Sequence, residues 1–472
     1  MEIIETQRHR SPDRTELRLF LEACRDEAIE DAHYKIASIS IKTRQLDPLA
    51  VLESIYERGE RHFYFENVAQ GWALAGAEAI VEGLFEGENR VALIQKWADE
   101  VLEHTIAVGD LNEPFSGPHF YAGIGFEATA SPGALFAGAT VFLPRWQVAQ
   151  KEGATLAVAN FRIDADGDLD ALTEKLWAAY AKFNQFDYSE VPTAAPKQLI
   201  RSEEVGSEMD YETRVAMALK QIRSGRYEKI VMARAMDMTF NAAFNPLTTL
   251  NGLRQRFRDC YALSFENTEG QSFVAASPER LVRVENGNLE TEALAGSIGR
   301  GVSAAEDARK GKKLLASEKD LREHQHVVDS IERRLKEIDV VLERPKSPEL
   351  LVLANVQHLR TRLRASVGDR HILDAVNVLH PTPAVGGTPR EAAVEDIAII
   401  EPFERGLYAG AIGYFDHKGA GEFCVGLRAG IVNGLTARVF AGAGIVEGSV
   451  PAAEKRETEM KMGALADALR ML

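Results

Sequence analysis

Near the C-terminus, in the stretch ARVFAGAGIVEGSVPAAEKRETEMK (437–461), Glu454, Glu457 and Lys461 are spaced by three and by four. On a helix that spacing puts two carboxylates and one ammonium on a single face. Just upstream, Gly442 and Gly444 sit in an Ala-Gly-Ala-Gly run, where a glycine loop would present backbone N–H groups to an anion. Together these groups could hold a divalent cation and an anionic ligand. They could equally be a solvated helix face with an i,i+4 Glu–Lys pair. The choice depends on whether the rest of the chain supplies matching groups.

A second acidic helix face lies in SEKDLREH (317–324). Asp320 and His324 project onto the apolar stripe of Val327, Val328, Ile331 and Leu335, and Glu323 falls at its edge. Carboxylates entering a buried stripe are costly unless a cation meets them; the alternative is a capping, solvated first half of the helix. Two such faces could share one oxygen-liganded ion, since Mg²⁺ takes one or two carboxylates plus waters and substrate oxygens. In Ser277-Pro278-Glu279-Arg280 a proline fixes a turn directly before a carboxyl. If buried, that carboxyl could serve as a general acid; otherwise the turn is a surface Glu–Arg pair. Lys229 opens the apolar run Ile230-Val231-Met232-Ala233, where a half-buried lysine could act as a base or merely guard a strand edge. Arg428, between apolar neighbours, suits a carboxylate clamp. No glycine run matches a dinucleotide or P-loop fingerprint in the required context.

The elements that would position these groups read as α+β. Alternating segments such as KIASISIK (35–42), HFYFE (62–66) and TLAVANFRI (155–163) indicate antiparallel strands in the first third. Residues 188–207, with Pro192 and Pro196 and no periodicity, form the one candidate boundary. Beyond it the pattern predicts a helix over 211–222, a strand over 229–238, and a hairpin turning at Asn286-Gly287. It also predicts a mostly continuous helix over 302–338 and helices over 372–379 and 389–400, the last with Thr388 as cap and Pro389 in first position. Strands and helices do not alternate strictly, which disfavours a doubly wound parallel sheet.

Composition narrows the class further. The 472 residues carry a net charge of −16 without a Lys/Arg run to offset it, which argues against nucleic acid. Cys24, Cys260 and Cys424 are far apart and suggest neither a disulfide framework nor a zinc motif. No membrane span and no signal-peptide core is read from the sequence, so a cytoplasmic location is expected.

Eight ordered motifs then carry a resemblance: ASPERL (276–281), ALAGS (293–297), LLASEKDLREH (314–324), VQHL (356–359), LHPTPAVGGTP (379–389), EPFERGLYAGAIGY (401–414), FAGAGIV (440–446) and EKRETEMK (454–461). They resemble the chorismate-utilising enzymes, a family that includes isochorismate and salicylate synthases and the large subunits of anthranilate and aminodeoxychorismate synthases. FYFE (63–66) and FSGPHF (115–120) are similar to the isochorismate synthases of menaquinone and phylloquinone synthesis. The resemblance implies the large α+β fold of anthranilate synthase component I and aminodeoxychorismate synthase, with antiparallel sheets in the core and helices outside. It implies one large domain over 1–472, with a less typical N-terminal portion (1–207) and a motif-bearing portion (208–472).

Residue by residue, the resemblance implies Lys229 as the base that activates water, a lysine the ammonia-using branches lack. Glu279 would be the acid that protonates the departing C4 hydroxyl of chorismate. Glu323 and Glu457 would hold Mg²⁺, with Glu454 and Asp320 acting through waters. Tyr414 and Arg428 would bind the enolpyruvyl carboxylate, and the amides at Gly442 and Gly444, with Lys461, the ring carboxylate. Ala295, Gly296, Ser297 and His358 would line the ring and its C4 side. Ala384 stands where the salicylate-forming branch has threonine, which points away from pyruvate elimination and toward isochorismate as product. The expected partner is the small molecule chorismate, with no nucleic acid, membrane or glutaminase subunit. Chemically the lysine must be a free base and the glutamate protonated at the moment of reaction.

Overall fold

The structure is a computed structural model describing residues 1–4, 13–184, 197–206, 208–353 and 356–471. Its strands join in one connected sheet. Among the described residues only two pairings are parallel, those of Thr105–Val108 with Glu2–Ile4 and with Lys35–Thr43. The rest are antiparallel, as the alternating patterns require.

The long strand Ala139–Lys151 is the branch point. It pairs with Ala154–Ile163 and, along its length, with Trp72–Phe85 and His119–Ile124. One arm runs from Trp72–Phe85 through His62–Asn67, Tyr261–Glu266, Ser272–Ser277, Ala429–Asn433 and Thr436–Val446 to Lys229–Phe240. The other runs from His119–Ile124 through Ala411–Asp416, Gly421–Val425, Arg280–Glu285 and Asn288–Gly299 to Val356–Ser366. Of these strands, those from the first 207 residues thus form the middle of the ladder, and those from the remainder extend it on both sides. Their inward faces form a large apolar core around Phe63, Phe65, Tyr121, Phe142, Phe265 and Phe273, the dominant stabilising burial.

Several local expectations hold. The hairpin turns at Asn286-Gly287, both at positive φ (51° and 70°), with Glu285 opposite Asn288. The helix after the boundary spans Tyr211–Arg223, and the strand Lys229–Phe240 opens on Lys229 as read. Of the connection over 188–207, residues 197–206 are described, and there Leu199–Glu204 forms a strand against Met236–Phe240; the remainder lies outside the described residues.

Three expectations are corrected. Residues 302–338 form two helices, Ala304–Leu315 and Glu318–Lys336. The break is a cap: the Ser317 hydroxyl accepts from the Asp320 amide, satisfying a first-turn donor of a new helix. Acids in that first turn and Arg333, Arg334 and Lys336 in the last complement its dipole. Pro389 is itself the cap residue of the helix Arg390–Ile400, which therefore starts one residue later than the sequence placed it. Gly442 and Gly444 lie inside the strand Thr436–Val446, not in a loop.

Candidate active site

Lys229 stands at the end of its strand, opposite Val446 and Thr388. Its ammonium donates to Glu323 Oε1 at 3.2 Å, with only 14% of the lysine side chain exposed. Gly444 gives this side chain its room, because a Cβ there would lie 3.1 Å from Lys229 Cε and 3.6 Å from Nζ. Glu279 follows Pro278 between two strands, anchored by its carbonyl accepting from the Val425 amide at 3.0 Å. Its carboxyl is buried and pushed up to about 8, by desolvation first and by the Glu292 carboxylate second, with Lys229 opposing. The site therefore holds a lysine beside a carboxyl that stays protonated near neutral pH.

The glycine strand supplies donors despite being a strand. The Val231 amide bonds the Gly386 carbonyl and the Ala233 amide bonds Glu401, so both point away from Thr436–Val446. Their partners across the ladder, Gly444 and Gly442, form the non-bonded pairs and turn their own N–H and C=O groups to the outer edge. That edge has no strand partner beyond Val439 among the described residues. Lys461 reaches it, donating to the Gly442 carbonyl at 2.9 Å.

The two acidic helices come near enough for a charge on one to act on the other. Glu457 pairs with Lys461 at 2.8 Å. The Glu454 carboxyl is raised, by burial first and also by Glu457, while Lys319 of the other acidic helix opposes the rise. Asp320 places its Cβ 3.2 Å from where a side chain on Gly296 would begin. Gly296 itself, at φ 74°, forms a bulge between Ala295 and Ser297. The bulge aims the Ser297 hydroxyl at His358 Nδ1, 2.7 Å away. His358 is lowered to about 4, by burial first and then by the cations Arg428 and Lys461, so its imidazole is neutral at pH 7. Arg428, at φ 46°, donates to Cys260 Sγ at 3.4 Å and lies 5.8 Å over the Phe257 ring.

The loop carrying Ala384 is fastened to the lysine strand. Gly387-Thr388 pairs with Lys229-Ile230. Arg405, fully buried against Glu401, donates to the Val385 carbonyl at 2.8 Å and the Val231 carbonyl at 2.7 Å. A buried ion pair with its remaining hydrogen bonds satisfied holds a defined geometry.

Tyr414 is not gathered with these groups. It sits among Phe65, Trp72, Phe115 and His119, and burial raises its phenol beside Glu422. Tyr408, which the sequence reading passed over, is the tyrosine at the site. Its hydroxyl lies 3.0 Å from where a Cβ on Gly442 would be, and its ring stacks on Phe440 with centroids 5.0 Å apart. It begins the same glycine-rich return as Tyr414, and no sequence signal separates the two.

Residues 20–470 match the family model described as chorismate binding enzyme. The chain is 32% identical over 455 residues to isochorismate synthase MenF of Bacillus subtilis, covering 94% of this chain and 95% of that protein. It is 35% identical over 445 residues to the salicylate biosynthesis isochorismate synthase of Pseudomonas aeruginosa, covering 92% and 90%. The solved structure of MenF, the menaquinone-specific isochorismate synthase from Escherichia coli, superposes with a TM-score of 0.78 at 26% identity, covering 95% of this chain and 99% of that one. Anthranilate synthase component I from Streptococcus pneumoniae, at 20% identity, shares the fold, with a TM-score of 0.67 over 85% of this chain and 93% of that one. The protein belongs to the chorismate-binding enzyme family.

Proposed function

We propose that the protein is an isochorismate synthase, converting chorismate reversibly to isochorismate and feeding menaquinone or phylloquinone synthesis. The observation that carries this reading is that Lys229, bonded to Glu323, lies near enough to a buried Glu279 for their charges to act on one another, the Glu279 carboxyl being pushed up to about 8, within a chain that aligns over more than nine-tenths of its length with isochorismate synthases. Chorismate is a dicarboxylate. Arg428 and the Gly442–Gly444 edge with Lys461 offer two anion sites. Tyr408 closes the glycine edge. Lys229, in its free-base form, takes a proton from a water directed at C2 and becomes the ammonium. Glu279 gives its proton to the C4 hydroxyl as the ring double bonds shift, and the hydroxyl leaves as water. Neutral His358, held by Ser297, borders the ring without adding charge. The outcome is a hydroxyl at C2 in place of C4, an isomerisation.

The acidic helices suit Mg²⁺ by their chemistry. Glu323 and Glu457, with Glu454 and Asp320 beside them, are oxygen donors only, the set a hard divalent cation prefers. Among the described residues no three acidic, His or Cys side chains converge into a closed cluster, so an ion here would need water and substrate oxygens to complete its shell. Bound there, it would neutralise the ring carboxylate and draw electron density from the ring. Glu457→Gln is expected to raise the Mg²⁺ concentration for half-maximal rate by about tenfold, read from a metal titration at saturating chorismate; an unchanged titration removes Glu457 from the ligand set.

Gly444→Ala tests the space around the base. The added methyl crowds Lys229 Cε, and the flexible end of the lysine must yield. Displacing a reacting group by a fraction of an ångström is expected to lower kcat by roughly tenfold to a hundredfold with an unchanged circular dichroism spectrum. Wild-type kcat in this variant would place the working ammonium elsewhere. Salicylate formation is the competing outcome, and Ala384 in the loop beside Lys229 disfavours it. Incubation with chorismate and Mg²⁺ separates them: isochorismate as main product supports the proposal, whereas salicylate and pyruvate overturn it.

A further inference from the structure

Glu279 has titratable neighbours from several elements: Lys229, itself held by Glu323; Glu292 from the strand Asn288–Gly299; and the buried Cys424 thiol of the strand Gly421–Val425, which the Glu279 carboxyl helps to push up. Glu292 is tied to the same turn, because its Oε1 accepts from the amide of Arg280, the residue after Glu279, at 3.3 Å. The neighbouring Thr291 hydroxyl donates to the Leu281 carbonyl at 2.6 Å, which locks the two segments together. The Glu292 side chain is only 12% exposed.

Three guanidiniums act on Glu292, those of Arg280, Arg360 and Arg362, but burial outweighs them and holds its carboxyl above the usual range; each is shared with other carboxylates, Arg362 with Glu349 at 3.0 Å. The Arg280 guanidinium pairs with Glu422 at 2.8 Å and Glu290 at 3.3 Å, and donates to the Tyr261 hydroxyl at 3.0 Å. Arg360 is engaged by Glu349 at 2.7 and 2.8 Å, and comes no closer than 3.9 Å to Glu292. A secluded carboxylate whose cations serve other carboxylates projects its charge onto its neighbours.

We propose that Glu292 is a positioning residue for the reaction, an under-neutralised carboxylate that keeps the neighbouring Glu279 in its proton-bearing form by charge repulsion. It rests on the reading of Glu279 as the proton donor. It explains why desolvation is not the only influence raising Glu279: Glu292 adds to it, and the Lys229 ammonium works against it. The other acidic neighbours face other cations, Glu422 the Arg280 guanidinium and Glu323 Lys229 and the proposed Mg²⁺ position.

The test is the pH dependence of kcat/KM for chorismate at saturating Mg²⁺. Since Glu279 must carry a proton, its ionisation sets the alkaline limb. In Glu292→Gln the repulsion is gone, and the limb is expected to fall by about one pH unit, while Glu292→Asp restores most of the wild-type position. Glu349→Gln, at a half-exposed position, frees Arg360 for Glu292 and is expected to move the limb the same way by less. An independent readout is the infrared carboxyl band of Glu279, identified by its loss in Glu279→Gln and titrated in wild type and Glu292→Gln. If the wild-type protein produces no isochorismate, the functional reading fails, and the infrared titration still measures whether Glu292 acts on Glu279. An unmoved band, or an unmoved limb in both Glu292→Gln and Glu349→Gln, overturns the proposal.

Discussion

Lys229→Ala is expected to lower the turnover of chorismate by about three orders of magnitude, the range lost when a positioned proton acceptor is removed. The lysine is held for one task. Its side chain is largely shielded, its ammonium donates to Glu323, and Gly444 clears the space beside it. The backbone of the strand is independent of that side chain, being paired with Val446, Thr388 and their successors. The variant should therefore fold, bind chorismate with a KM within a few fold of wild type, and fail in kcat. Loss confined to KM would make Lys229 a binding residue, and near-wild-type turnover would remove it from the mechanism.

Glu279→Gln is expected to abolish measurable turnover and, unusually for a buried substitution, to stabilise the protein at alkaline pH. The carboxyl stands at about 8 in the folded chain against an ordinary 4.5. A group raised on folding contributes stability that is fully present below its unfolded value and lost as pH rises through the folded one. Between pH 4.5 and 8 the loss accrues at about 1.4 kcal/mol per unit. Glutamine has no proton to lose, so the melting temperature of Glu279→Gln relative to wild type should rise from pH 5 to pH 8 and level off above it. A constant difference across that range would show that the carboxyl is not raised. Retained turnover would assign the proton donor elsewhere.

The functional groups were more legible in the sequence than the ladder that gathers them. Helical spacing alone placed Glu454, Glu457 and Lys461 on one face, and the structure adds that Lys461 bonds both Glu457 and the Gly442 carbonyl. The Asn-Gly hairpin was legible because positive φ at both positions has a residue signature. The glycine strand was misread because a run of small residues looks like a loop. Its smallness serves Lys229 and Tyr408, which lie far away in sequence. The cap at Ser317 was hidden because helix formers flank it on both sides. Tyr414 and Tyr408 share one glycine-rich segment, and only the three-dimensional neighbours separate an aromatic cluster from the site. Glu401 and Arg405 flank Pro402 in sequence without any sign of burial, yet they form a fully buried pair that fastens Val231 to Val385. Long-range pairing of this kind leaves no local pattern.

The family is shown by the match over residues 20–470, and the α+β fold by the solved relatives. The reaction is tested most directly by incubating the purified protein with chorismate, with Mg²⁺ and with the metal chelated, and separating the products by chromatography and mass spectrometry. The account predicts isochorismate in equilibrium with chorismate when Mg²⁺ is present and neither salicylate nor pyruvate in proportion to it. Salicylate and pyruvate as main products, or no isochorismate at saturating Mg²⁺, would contradict it.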